Sequence, residues 1–196
     1  MKPETKDRRT RRTRQLLRDT LLALLKEKRY ADISVQDIIA RADVARSTFY
    51  VHYADKDELL TGRHGIFAET LSQQLTAHSA QPGAAPFSSR TWFHHIQAQG
   101  DILRVIAKDS AMELAMKTLR GMIHRSVQEG MQAHQPMDQA AHVPLTLLED
   151  YLADTLMTLI KWWYGDGMKK TPEQMDTIFQ QLVMPGVSSI LGNRSG

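Results

Sequence analysis

The 196-residue chain contains no cysteine. That absence excludes a disulfide framework, a thiol nucleophile, a Cys-ligated zinc site and an iron–sulfur centre together. Long apolar runs are also lacking. The longest, around residues 156–163, is interrupted by Lys161 and falls far short of the roughly 20 residues that span a bilayer. The N-terminus, Met1-Lys2-Pro3-Glu4-Thr5-Lys6-Asp7-Arg8-Arg9, is charged and has no apolar stretch close behind it, so it does not read as a secretory signal. A soluble, cytoplasmic protein is expected. No segment alternates apolar and polar residues between turns, which argues against a sheet. No Gly-rich phosphate loop and no nucleophile beside a base appears, so an enzyme has no support and no cofactor is expected. Eight histidines invite a metal reading. The pair His94-His95 sits 100° apart on a helix and no His-Glu-x-x-His spacing exists, so no metal is expected either.

What remains is an apolar content of 42%, enough for a substantial core, and an uneven charge. The chain as a whole is +3, yet its first 30 residues hold eleven Lys/Arg against four Asp/Glu. The block Arg8-Arg9-Thr10-Arg11-Arg12-Thr13-Arg14 has the composition of a polyanion-binding arm, since each Arg can neutralise a phosphate and release a counterion. A solvated, frayed terminus is the alternative.

Helical periodicity runs throughout, and the expected fold class is all-α. Leu16, Leu17, Leu21, Leu24 and Leu25 mark one face of a first helix over about residues 10–28. Ser34 and Asp37 form a capping box that opens a short second helix carrying Val35, Ile38, Ile39 and Ala42. Asp43-Val44 interrupts it, and a third short helix follows over about 46–50. Asp55 caps a fourth through Glu58, continuing past Leu59, Leu60, Phe67, Leu71 and Leu75. Gln81-Pro82-Gly83-Ala84-Ala85-Pro86 reads as a linker. Beyond it the pattern predicts helices over 89–99, 101–108, 111–133 (capped by Ser110, with Glu113 third), 144–164 and from Thr171-Pro172 onward, with Pro185-Gly186 breaking or kinking the last.

The informative stretch is 34–60. Two short helices joined by a tight turn, with Ala42 small and Val44 an apolar plug, are the sequence form of a helix-turn-helix. Its second helix is rich in donors: Arg46, Ser47, Thr48, Tyr50 and His52, with Lys56 just beyond, can reach phosphates or base edges, while Phe49 faces back toward Ile38 and Leu21.

Residues 10–60 resemble the DNA-binding domain of TetR-family transcriptional regulators. The match lies in Ile39-Ala40, Ala42, Val44, Thr48-Phe49-Tyr50, Tyr53, Lys56 and Leu59, with the family's spacing. The resemblance implies an N-terminal three-helix DNA-binding domain (1–57), followed by a helical-bundle ligand-binding and dimerisation domain (58–196). It implies DNA contacts by Thr48, Tyr50 and Lys56, with Arg8, Arg9, Arg11, Arg12, Ser34, Arg46, Ser47 and His52 as further candidates. Asp43 replaces the usual turn glycine, which Asp tolerates, and Ala45 replaces the usual Ser or Thr N-cap, which removes a cap.

The segment Leu159-Ile160-Lys161-Trp162-Trp163-Tyr164-Gly165-Asp166-Gly167, with Thr171-Pro172-Glu173-Gln174-Met175, is similar to the last two helices of one C-terminal subtype, which in the family pair with a second copy. Leu152, Leu156, Leu159, Trp163, Ile178, Phe179 and Leu182 are the expected homodimer seam; a monomeric core is the alternative. Phe67, Trp92, Phe93, Met116, Leu119, Met122 and Ile123 are core by composition and, as the resemblance implies an effector domain, candidates for an apolar pocket. The function expected is a repressor on a palindromic operator, released by a small, apolar effector. An activator or co-regulator run by a protein partner, and a small-molecule-binding protein or enzyme retaining the DNA-binding domain as scaffold, are the rivals.

Overall fold

The computed structural model describes residues 3–62, 65–66, 87–107, 109–133 and 143–191. Among the described residues every regular element is helical: α1 Pro3–Leu25, a 3-10 turn Tyr30–Asp32, α2 Val35–Ala42, α3 Arg46–His52, α4 Lys56–Thr61, α5 Ser89–Ala98, α6 Gly100–Ile106, α7 Ser110–Ala133, α8 Leu145–Gly165 and α9 Pro172–Leu191. None of these helices is long and apolar enough to cross a membrane.

The chain divides into two compact units, Met1–Gln73 with Gln99–Lys117, and Gln74–Ala98 with Thr118–Gly196. The division is thus not a single cut in sequence, because α6 and the start of α7 belong with the N-terminal helices.

In the first unit α1 packs on α2, α4 and α6. Its core is Leu17, Leu21, Leu24, Leu25, Ile38, Ile39, Phe49, Tyr53, Leu59 and Leu60, all buried. Each such side chain contributes on the order of 1.5–3 kcal/mol by leaving water. Leu16, expected on the same stripe, is 43% exposed and lies off it. Helix α1 starts well before residue 10, so the Arg-rich block is helical and not a frayed arm. The Ser34–Asp37 box forms as expected: Ser34 Oγ accepts the Asp37 amide (3.1 Å) and the Ser34 amide donates to Asp37 Oδ2 (2.7 Å). Asp43 ends α2 in the left-handed region (φ 50°, ψ 50°), the conformation that the tight turn requires and that Asp adopts more readily than most residues. Asp55 caps α4 through the Glu58 amide (2.7 Å). The expected continuation of that helix through Phe67, Leu71 and Leu75, and the linker at 81–86, lie outside the described residues.

In the second unit α5 packs on α8 and α9, and α8 packs on α9. Trp92, Phe93, Ile96, Leu152, Leu156, Ile160, Trp163, Phe179 and Val183 fill its core, with Phe93 edge-on to Trp163 at 5.6 Å. Gly167 (φ 74°) follows α8 and supplies the left-handed step that a side chain resists. Thr171 and Gln174 close a reciprocal cap on α9. Two details differ from expectation. Helix α7 is capped by Asp109, which accepts from the Ser110 hydroxyl and the Ala111 amide, and not by Ser110 with Glu113. Helix α9 continues through Pro185 to Leu191 without ending there. Gln181, four residues back, and Pro185 are both exposed, so the carbonyl that loses its amide partner can be hydrated.

Candidate nucleic-acid interface

Helix α3 is held from behind. Phe49 is fully buried and Tyr53 nearly so, and their rings stand 6.1 Å apart. Anchoring at positions i and i+4 fixes the rotation of a seven-residue helix, and the opposite face is left to solvent. That face presents Arg46, Ser47, Tyr50 and Val51. Tyr50 is 46% exposed, and the Arg46 guanidinium lies 5.7 Å from its ring centroid, which restrains both side chains outward. Val51, at 77%, is an exposed branched hydrocarbon one turn beyond Ser47. Sequence reasoning passed over it, because a lone Val among donors reads as filler until the rotation of the helix is known. Thr48 is half-buried.

Helix α2 is tied at two places to the segment that follows α1. Arg41 Nη1 reaches Glu27 Oε2 at 2.5 Å and Lys28 Nζ reaches Asp37 Oδ2 at 3.0 Å. Hydrogen bonds from the Ser34 hydroxyl and amide, and the Lys28 ammonium, hold the Asp37 carboxyl well below the usual range, so this cap stays ionised in any ordinary buffer. Ser34, expected as a DNA contact, has its hydroxyl committed to Asp37 (2.6 Å).

Lys56 sits otherwise than expected. Its Nζ donates to the carbonyls of Tyr30 (2.8 Å) and Ile33 (2.7 Å) and lies 4.4 Å from the Tyr30 ring centroid. Two of its three donors therefore brace the turn preceding α2 instead of facing outward. The same turn is held by the Tyr30 hydroxyl donating to Asp57 and by the Tyr30 amide donating to Asp109 Oδ2 (2.6 Å). Burial and the Asp57 carboxylate push the Tyr30 phenol far above its ordinary value, so it remains a donor.

Arg8, Arg9, Arg11 and Arg12 are exposed along α1. An open groove of about 520 Å³ on this helix is lined by Arg11, Arg12, Arg14 and Arg18, with Leu16, Gln15 and Asp19. Arg14, the last residue of the basic block read from sequence, also acts on α3. Burial first, and then the field of Arg14, hold the His52 imidazole below its ordinary value. The Arg14 Nε is itself buried with no acceptor among the described residues. The charge of Arg14 is therefore felt at the end of α3, which suits an anion there.

The second unit holds the other candidates. Leu152, Leu156, Trp163 and Phe179, expected at a seam between copies, are 0–3% exposed and fill the core of their own chain, so a partner cannot reach them. Leu159 and Ile178 are half-buried and Leu182 is 66% exposed. The apolar surface of α8 is formed instead by Leu147, Tyr151 and Trp162, 45–58% exposed and within one 60° sector at 100° per residue. Of the pocket candidates, Phe67 lies outside the described residues. Trp92, Phe93, Leu119 and Ile123 are buried in the second unit with Met122 half-buried, while Met116 belongs to the first unit. His94 and His95 face different ways: His94 is half-buried and 3.0 Å from Glu173, whereas His95 is 1% exposed. Among the described residues no group of three or more His, Asp or Glu could hold a metal ion.

Comparison with known proteins agrees with this geometry. Residues 17–61 match the family model described as bacterial regulatory proteins, tetR family, and residues 88–185 match that of a transcriptional regulator C-terminal region. An uncharacterized HTH-type transcriptional regulator YxbF of Bacillus subtilis (strain 168) is 49% identical over 55 residues, which are 28% of this chain and 14% of that protein. The chain therefore spans only a small part of that relative's length. Two solved structures share the fold. A TetR transcriptional regulator from Streptococcus agalactiae 2603V has a TM-score of 0.53 at 23% identity over 93% of this chain and 99% of its own. A protein described as a TetR-family transcriptional regulator from Syntrophomonas wolfei str. Goettingen has a TM-score of 0.57 at 17% identity over 88% and 93%.

Proposed function

The chain belongs to the TetR family of transcriptional regulators, with the family's DNA-binding region and a C-terminal regulatory region, and from that premise we propose that it is a homodimeric repressor of a palindromic operator, released by an effector of the C-terminal region. The observation that carries the reading is the outward face of α3, where Arg46, Ser47, Tyr50 and Val51 are presented by a helix locked from behind by Phe49 and Tyr53. Arg46 and Ser47 read base edges, Val51 meets a thymine methyl, and Tyr50 and Thr48 hold phosphates. Arg8, Arg9, Arg11 and Arg12 add sequence-independent phosphate contacts along α1, and Arg14 with His52 supplies another at the end of α3.

The homodimer is supported by the exposed hydrocarbon of α8 and α9, Leu147, Tyr151, Trp162 and Leu182, which is more than a lone chain keeps in water without use. A symmetric pair would place its two α3 helices about 34–36 Å apart, or a multiple of that, to enter successive major grooves. An effector that binds one spacing better than the other shifts the population by its differential affinity, and a coupling of about 1–3 kcal/mol would change operator affinity roughly 5–150-fold. The working compartment is the cytoplasm, and no catalytic step is assigned. Operator selection from random duplexes followed by sequencing tests the reading: a palindrome with half-sites one turn apart is the expected product, and an unstructured pool would refute it.

A further inference from the structure

In the second unit, α5 brings two polar side chains into the interior that the other described residues leave unanswered. Trp92 is 0% and His95 1% exposed, yet among the described residues Trp92 Nε1 and His95 Nδ1 have no hydrogen-bond partner. Three residues apart, they share a face of the helix, and their rings meet edge to face, 6.1 Å between centroids and 88° between planes. Buried polar atoms are ordinarily paired, and this unit pairs them elsewhere. The Trp163 indole, equally buried, donates to the Lys170 carbonyl at 2.9 Å, and the buried Ser89 hydroxyl, on the same helix as Trp92, bonds Asp176. An indole and an imidazole orphaned side by side have the form of a recognition surface awaiting its ligand.

We propose that Trp92 and His95 form the polar end of a binding site for a small uncharged molecule bearing a hydroxyl group on an apolar body. This rests on the reading of the C-terminal region as an effector domain. The indole N–H only donates, so the ligand must accept; a neutral imidazole offers either a lone pair or an N–H at Nδ1, and a hydroxyl oxygen with its own proton answers both rings in either tautomer. Charge is disfavoured. Burial alone pushes His95 down to about 4, so the imidazole is neutral at physiological pH and offers an anion no counter-charge. The body is apolar because Ile96, the buried residue on the same side of α5 as Trp92, is hydrocarbon.

The test uses the full chain, with phenol and cyclohexanol as probes and toluene and benzoate as controls, followed by indole ¹H–¹⁵N NMR and thermal shift. Trp92→Phe identifies the Trp92 resonance among the three indoles. The expected result is that phenol and cyclohexanol move the Trp92 indole signal, raise the melting temperature, and bind at least tenfold more tightly than toluene or benzoate. His95→Leu should erase the preference of phenol over toluene while leaving the empty protein as stable as before at neutral pH. Should that variant fail to fold, the ranking of the four probes on the unaltered protein decides. An unmoved Trp92 signal, equal affinity for phenol and toluene, or a buried water at the indole with no probe bound would overturn the proposal. Loss of the site with duplex binding intact would leave the regulator reading standing. Phenol binding that left duplex affinity unchanged would uphold the site and sink its coupling to DNA.

Discussion

Lys56 offers a sharp choice between two roles that leave different thermodynamic traces. If its ammonium braces the turn before α2, replacing it by Met keeps the aliphatic stem and removes two charge-assisted hydrogen bonds, to the Tyr30 and Ile33 carbonyls, together with the cation–π interaction on the Tyr30 ring. The Tyr30 carbonyl retains the Ile33 amide (3.1 Å), so the larger loss falls on the Ile33 carbonyl. A bond to a charged donor contributes about 1.5–3 kcal/mol and a cation–π interaction about 0.5–1 kcal/mol. With part of the first bond compensated, Lys56→Met should destabilise by about 2–4 kcal/mol, a fall in melting temperature of roughly 5–15 °C for a chain of this size. If instead Lys56 chiefly held a DNA phosphate, the same change would leave the melting temperature alone and reduce the salt slope of duplex binding by about 0.9. Calorimetry and fluorescence anisotropy across a salt series measure the two directly. An unchanged melting temperature with a reduced slope would refute the bracing role.

Burial of His95 gives a folded-state value of about 4 against 6.5 unfolded, so the unfolded chain binds a proton that the folded one refuses between those limits. Stability is complete above pH 6.5 and falls as pH drops toward 4, by about 2 kcal/mol between pH 7 and 5, and urea melts of His95→Leu should lack this component. Identical pH profiles in both proteins would contradict it. Replacing Arg8, Arg9, Arg11 and Arg12 by Ala should weaken binding on all duplexes alike and flatten the salt slope by about 0.9 for each phosphate no longer neutralised; an unchanged slope would show α1 to be clear of DNA. Arg46→Ala should relax preference at one base pair of each half-site by about 1–3 kcal/mol, and Val51→Ala should weaken selection for a thymine, both read by sequencing selected sites. Trp162→Asp with Leu182→Asp should give folded monomers by light scattering, because these side chains are exposed in the single chain; a persistent dimer would locate the interface elsewhere.

Local chemistry was legible from sequence because it needs only near neighbours. The Ser34–Asp37 and Thr171–Gln174 caps, the left-handed Asp43, the Asp55 cap, the inward Phe49 and the different faces of His94 and His95 each follow from spacings of one to four residues, and they are where the fold has them. So does the helix-turn-helix itself, whose type and register are set by those caps and by apolar periodicity. Direction over longer range was decided by tertiary packing. Lys56 at the head of α4 reads as a free cation until the carbonyls of Tyr30 and Ile33, more than twenty residues earlier, are brought beneath it. The Asp109 carboxylate finds the Tyr30 amide across 79 residues of chain. Leu152, Leu156, Trp163 and Phe179 look alike as seam or core, since an amphipathic stripe states only that a face is buried. It was α5, packed on α8 and α9, that claimed them for the interior and left Tyr151, Trp162 and Leu182 outside. A sequence specifies which side chains avoid water; which partner covers them is settled only when the other helices arrive.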